Sequence, residues 1–376
     1  MIIPNQKHLF TIPGDVSYMN CAYMSPLLKK VNEAGIAAIN KRNGPWQYKI
    51  MEDWFGPGEE LRQLFANIIG AGKENIALIP SVSYGIAVAA NNITLTPQQK
   101  IILLDQQYPS DVYAWRELCN RTGAEIITVK NKAGENWTDA ILSKIDSNTG
   151  LVSVPNCHWT DGSFIDLEKI SAATKTVHAK LVVDASQSLG AFPLNIKKID
   201  PDFLITVGYK WLMGPYGLGY LYAADQYCET GKPIEFSWLN KMGSEDFSGL
   251  VEYVDEYKPG ARRFDVGEFP SFTNVQMAIA ALTQILDWGV ENIQETIAVL
   301  TGEIENKAKA MGFETPEKTS RTGHIIGIRF PGKNVADLNK KLIENKISIS
   351  IRGNSMRVAP HLYNGREDIE KLFSFL

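Results

Sequence analysis

Cysteine is scarce in this 376-residue sequence, and Cys21, Cys119, Cys157 and Cys228 are scattered with no Cys-x-x-Cys pair among them. That spacing excludes a zinc knuckle and a disulfide framework, so the thiols read as buried apolar groups and no metal is expected. Positive charge is not in excess either, since 38 Lys and Arg stand against 42 Asp and Glu for a net charge of -4, with a pI near 5.9. No basic run supplies locally what the total withholds, which excludes nucleic acid as a partner. No apolar run approaches the roughly 20 residues that span a bilayer. The start, Met1-Ile-Ile-Pro-Asn-Gln-Lys7, lacks a basic segment followed by an apolar stretch. The expectation is a cytoplasmic protein with no membrane partner. Neither Gly-x-Gly-x-x-Gly nor Gly-x-x-x-x-Gly-Lys-Ser/Thr occurs, which disfavours a nucleotide-binding protein.

What is present is the balance of a globular chain, 44% hydrophobic and 21% charged, long enough for one large domain of about 250 residues and a smaller one. Pro26 to Asn40, Glu52 to Ile69 and Ser110 to Thr122 carry helical periods. Between and after them run short apolar stretches: Ile76 to Ile79, Ile101 to Leu104, Glu125 to Val129, Leu151 to Val154, Leu181 to Val183, Phe203 to Thr206 and Gly219 to Tyr222. Such alternation predicts an α/β fold whose sheet is covered by helices on both faces and is largely parallel. Beyond Ser237 the chain turns polar and is broken by Pro259 and Gly260. Helices from about Asn274 to Asp287, Gln294 to Met311, Val335 to Asn345 and from Arg366, with strands at His324 to Phe330 and Ile347 to Ile351, predict a smaller α+β unit.

Ligands of open α/β sheets bind at the carboxyl ends of strands, so polar residues just after apolar runs are the candidates. Asp184 and Gln187 follow Leu181-Val-Val183, where a carboxylate could charge-pair with a pyridine nitrogen and an amide reach a ring oxygen; a helix cap is the alternative. Lys210 follows Phe203 to Thr206 among aromatics, where desolvation favours the neutral amine needed to form a Schiff base; a surface lysine beside a Gly-rich turn is the alternative. Ile79-Pro-Ser81-Val-Ser83-Tyr84-Gly85 opens a helix through hydroxyl groups, an anion cradle or simply a serine cap. Tyr108, in the loop after Leu104, could stack on a flat heterocycle or merely pack. Arg357 carries a fork suited to a carboxylate, with a surface ion pair as the alternative and Arg352 as its competitor.

In order and spacing, Asp184-x-x-Gln187, the later Lys210 and the Gly214 to Gly219 turn resemble the class V aminotransferase family of fold-type I enzymes that use pyridoxal 5'-phosphate (PLP). The resemblance extends from Tyr18-Met-Asn-Cys-Ala22 to Arg357-Val-Ala-Pro-His-Leu-Tyr-Asn364. It implies a sheet of about seven strands, a large PLP-binding domain over 18–260 and a small domain made of 1–17 and 261–376. It further implies that Lys210 and Asp184 are catalytic, Lys210 carrying the cofactor as a Schiff base. Asp184, Gln187, Tyr108, Ser83, Tyr84 and Tyr209 would hold PLP, with Ser83 and Tyr209 on its phosphate. Arg357, Asn20, Ala22 and at least one of His158 and Trp159 would meet an amino acid substrate. Segment Gly267 to Thr273 resembles a loop that reaches the neighbouring subunit, which implies a homodimer.

Within the family, the segment Ser348 to Arg357 lacks the cysteine that desulfurases use, which disfavours that activity. Tyr108-Pro-Ser-Asp111, Tyr209-Lys210 and Arg357-Val-Ala-Pro resemble kynureninases, whereas Gln187 and Trp211 to Gly217 resemble aminotransferases and epimerases. The expectation places transamination, with a keto acid acceptor, ahead of kynureninase-like Cβ cleavage by a lyase or hydrolase and ahead of epimerisation. A non-catalytic role comes last.

Overall fold

The computed structural model describes residues 1–131, 136–330, 335–353 and 355–376. Seven strands form the central sheet: β1 (Ile76–Ile79), β2 (Lys100–Leu104), β3 (Glu125–Val129), β4 (Thr149–Pro155), β5 (Lys180–Asp184), β6 (Phe203–Val207) and β7 (Gly219–Ala223). Their order is β1-β7-β6-β5-β4-β2-β3. The pairs from β6 across to β3 are parallel, as the alternation of strand and helix predicts. Only β7 runs against its neighbours β6 and β1. A tight return through residues 208–218 suffices for an antiparallel neighbour, whereas a parallel one would need a crossover helix.

Side chains alternate across the sheet, so each strand feeds two cores. Leu78, Ile102, Val152, Val183 and Leu204 enter one core, while Ala77, Ile79, Ile101, Val182, Phe203 and Ile205 enter the other. Both faces being covered is why these strands read as unbroken apolar runs. Helix Phe272–Trp288 contributes Val275, Ala278 and Leu282 to the first core.

Some boundaries move for local reasons. The helix expected from Pro26 begins as Lys29–Lys41, because Leu28 before it is extended. The one expected from Glu52 becomes regular at Gly56–Ile69, after a π-helical Ile50–Phe55, with Pro57 in the first turn where its missing N–H costs nothing. The single strand expected over Ile347 to Ile351 is two, since Ile347–Ser348 pairs with Ser17–Tyr18 while Ser350–Arg352 pairs elsewhere.

The C-terminal part holds a second sheet of β8 (Ile326–Arg329), β9 (Ser350–Arg352) and β10 (Ser355–Val358), antiparallel in the order β9-β10-β8. Its core includes Met19, Ile304, Ile328, Met356, Val358 and Leu372. The chain's first residues lie along it, with the Gln6 N–H donating to Leu362 and Asn20 bridged to Ala359. That course carries residues 20–25 towards the carboxyl ends of the central strands. Among the described residues no helix is long and apolar enough to cross a membrane.

One buried ion pair ties the sheet's β1 edge to the segment beyond Pro259. Arg62, fully buried, donates to both Asp265 carboxylate oxygens and to the Ile76 carbonyl at 2.8 Å, while Asp265 accepts from the Leu78 N–H at 2.8 Å. Removing one partner strands a charge in an apolar interior, which costs about 3–5 kcal/mol. Arg62→Met is therefore expected to lower unfolding stability by that order in urea titration. A loss below about 1 kcal/mol would show that the pair is not what fixes this edge.

Candidate active site

β6 ends at Val207, and the following loop closes on itself: the Gly208 N–H donates to Leu218, Gly214 to Gly208 and Met213 to Lys210. From outside, the Ser25 N–H and hydroxyl both reach the Tyr209 carbonyl, at 3.0 and 3.2 Å. The loop thus holds Lys210 over the strand ends, with its residue only 8% exposed. Its Nζ lies 5.5 Å from the Tyr108 ring centroid and 5.8 Å from that of Tyr209. Burial pulls the Lys210 pKa down to about 8; Asp184 and Asp111 oppose that fall, and Arg357 and Arg352 add to it. A large fraction of neutral amine is present near pH 8.

Asp184 is the last residue of β5, in register with Pro155 of β4 and Ile205 of β6, and its Oδ1 accepts from the Ser186 N–H at 2.9 Å. Beside it lies a residue that the sequence reading did not single out. Asp111, in the first turn of helix Ser110–Thr122, is fully buried beside Asp184. Burial first, then the nearby Asp184 carboxylate, push its carboxyl well above the usual range. Gln107 donates to Asp111 Oδ2 at 3.3 Å, and Oδ1 has no partner. An acid in a first helical turn ordinarily signals only the helix dipole, so its sequence position gave no hint of this role.

Above these groups, Ser81 caps helix Val82–Asn92, its Oγ accepting from the Tyr84 N–H at 3.2 Å and lying 2.9 Å from Ser83 Oγ. The first N–H groups of a helix have no partner within it and point outward, a seat for an anion. Gly85 lets this helix lie close to the sheet, because a Cβ there would fall 2.8 Å from Ile205 Cγ2. Ser81, Ser83, Tyr108, Asp184, Tyr209 and Lys210 all line one cavity of about 200 Å³.

Other expected residues lie off that cavity. Tyr84 turns its hydroxyl to Glu235 and to the Asp265 carbonyl, both at 3.4 Å, leaving only its N–H at the turn. The Gln187 amide donates to the Ala22 carbonyl at 3.0 Å and accepts from the Trp211 indole at 3.1 Å. Asn20 donates to Ile349 and accepts from Ser350. His158 stacks on Trp137, with its nitrogens on Thr160 and the Asp105 carbonyl, and burial lowers its pKa. Trp159 does face the site, edge-on to Tyr108 with centroids 5.6 Å apart. Its carbonyl accepts from Arg357, which is almost fully buried. Burial pulls the Arg357 pKa down to about 9, helped by Arg352.

A family model described as aminotransferase class-V matches residues 47–372. The chain is 27% identical over 312 residues to a Bacillus subtilis protein called the uncharacterized aminotransferase YcbU, covering 83% of this chain and 80% of that one. It is 23% identical over 332 residues to isopenicillin N epimerase of Streptomyces clavuligerus, covering 83% and 82%. The solved apo structure of a cysteine desulfurase from Thermococcus onnurineus shares the fold, with a TM-score of 0.86 at 22% identity over 100% of this chain and 98% of that one. With a match over most of its length, this chain belongs to the class-V aminotransferase family and is a PLP-dependent enzyme.

Proposed function

We propose that the cavity holds PLP on Lys210 and that the enzyme is an aminotransferase. The residues fit the cofactor: a buried amine for its aldehyde, Asp184 for its ring nitrogen, the Tyr108 face for its ring, and the Ser81 to Ser83 turn with Tyr209 for its phosphate. When bound, the cofactor supplies an electron sink for bonds at the substrate Cα. Arg357 holds the substrate carboxylate through its fork, and Trp159 beside Tyr108 keeps water from the reacting face.

The observation that carries the choice of reaction is that Lys210 is the one amine, with no imidazole beside it, among the described side chains lining the cavity. Burial raises the phenols of Tyr108 and Tyr209, the latter to about 12, so neither takes a proton at neutral pH. Lys210 Nζ can lift the Cα proton and deliver it, on the same face, to the carbon that was the cofactor's aldehyde, and that transfer suffices for amino-group exchange. Epimerisation needs a second group to act on the opposite face, and the one imidazole expected near the substrate, His158, is turned to Thr160 and the Asp105 carbonyl. Desulfuration needs a thiolate, yet Cys21 and Cys157 are buried with their thiol pKa values raised, while Cys228 packs against the Ala223 and Glu74 carbonyls.

Borohydride treatment is expected to fix the cofactor to the peptide containing Lys210, and Lys210→Ala should fix none and lose all turnover. An amino acid alone should convert bound PLP to pyridoxamine phosphate, and a keto acid should restore it. Sustained turnover of kynurenine without an acceptor, with no pyridoxamine phosphate formed from any amino acid tested, would replace this reading with Cβ cleavage.

For Asp111 the folded pKa lies above the unfolded one, so the folded state binds the extra proton and stability falls as pH rises above about 4 towards that folded value. Asp111→Asn removes the titrating group. In thermal unfolding of the apoprotein from pH 5 to 8, the wild type should lose up to about 1.4 kcal/mol per pH unit relative to this variant. Parallel pH profiles would mean that Asp111 is ionised.

A homodimer is part of the same proposal. Tyr216 lines the cavity yet is 70% exposed, and Asn274 donates to its carbonyl at 3.4 Å, so the segment leading into helix Phe272–Trp288 sits at the rim. A second copy covering that rim would complete the pocket. Sedimentation should give a dimer, and a fully active monomer would remove this part of the reading.

A further inference from the structure

The register of the C-terminal hairpin puts two arginines on one face. Ser350 of β9 lies opposite Arg357 of β10, so Arg352, two residues along β9, is the diagonal neighbour of Arg357 on that face. Like charges on one face of a sheet repel, and a carboxylate between them would relieve the repulsion. Here none appears: among the described residues neither guanidinium meets a carboxylate. Arg357 donates to the Trp159 carbonyl at 2.6 Å and to Ser350 Oγ at 3.4 Å, and Arg352 donates to its own neighbour's carbonyl at 2.8 Å. The Nε of each is buried without a partner. Arg352 lies over the Trp159 ring at 5.3 Å, so Trp159 touches both arginines and the Tyr108 that covers Lys210. Arg352 also lines a separate cavity of about 620 Å³ with Tyr18, Asn20 and Tyr23.

One carboxylate needs one fork, and the second fork is left over. We propose that the substrates are acidic: Arg357 takes the α-carboxylate, and Arg352, braced on Trp159, takes a second carboxylate at the end of the side chain. The substrate class is thus dicarboxylic amino acids and keto acids, an inference that rests on the amino acid site proposed above.

The test uses inert acids without an amino group, so its outcome depends on neither Lys210 nor the type of reaction. Calorimetric titration of the holoenzyme with succinate, glutarate and adipate, against butyrate, pentanoate and hexanoate, should show the best dicarboxylate binding about 10- to 100-fold tighter than the monocarboxylate of equal length. Arg352→Gln should abolish that preference while leaving monocarboxylate affinity within about twofold, which also shows the variant to be folded. Arg352→Lys should retain part of it, and Arg357→Gln should weaken both classes. Equal affinities in the wild type would overturn the proposal. So would an Arg352→Gln variant that weakens both classes alike, since the two arginines would then clamp one carboxylate. If amino-group exchange failed while the dicarboxylate preference held, the reaction type alone would fall.

Discussion

An ammonium taken out of water loses several kcal/mol of hydration unless other charges replace it. At Lys210 the surroundings pull in both directions. The carboxyls of Asp184 and Asp111 favour its protonated form, burial and two arginines favour the neutral one, and the neutral side prevails far enough to bring the pKa to about 8. The other local arrangements follow from keeping that balance. The loop after β6 is closed by its own backbone bonds and braced by Ser25, so the amine cannot swing back to solvent. Burial, and the charge of Asp184 beside it, push the Asp111 carboxyl well above the usual range.

The sheet's topology makes room for this. Parallel strands bring Pro155, Asp184 and Val207 to the same edge, where β4, β5 and β6 end together. Reversed β7 returns from that edge, so its preceding loop, rather than a crossover helix, occupies the space above β6. Close seating of helix Val82–Asn92 on Ile205, allowed by Gly85, then aims its open N–H groups into the gap.

Much of this was legible in the residues. Apolar runs marked all seven strands; Lys210, Asp184, Ser83 and Tyr108 were named from their places after strands and Tyr209 from the family resemblance, and all five line one cavity. What escaped notice depended on partners distant in the chain. Asp111 entered only as the end of the Tyr108-Pro-Ser-Asp111 resemblance, with no role until Asp184 was brought beside it, and Gln187 looked free until Ala22 and Trp211 were seen to occupy its amide. The break at Ile349 was hidden because the unbroken alternation of Ile and Ser from Ile347 to Ile351 cannot say that its two halves pair with different strands. Arg352 had been weighed only as a rival to Arg357, for sequence does not reveal which residues share a face of a hairpin whose register is unknown.

Trp159 joins several parts of the site. One face lies against Arg352, its edge meets Tyr108, its carbonyl holds Arg357 and its indole N–H is anchored to the Gln106 carbonyl at 2.7 Å. A single rigid plane is therefore shared between the groups that would select a substrate and the ring that would cover the cofactor. Selectivity and chemical reactivity are not separable design variables in this protein, because any replacement at position 159 that reshapes the one also retunes the other.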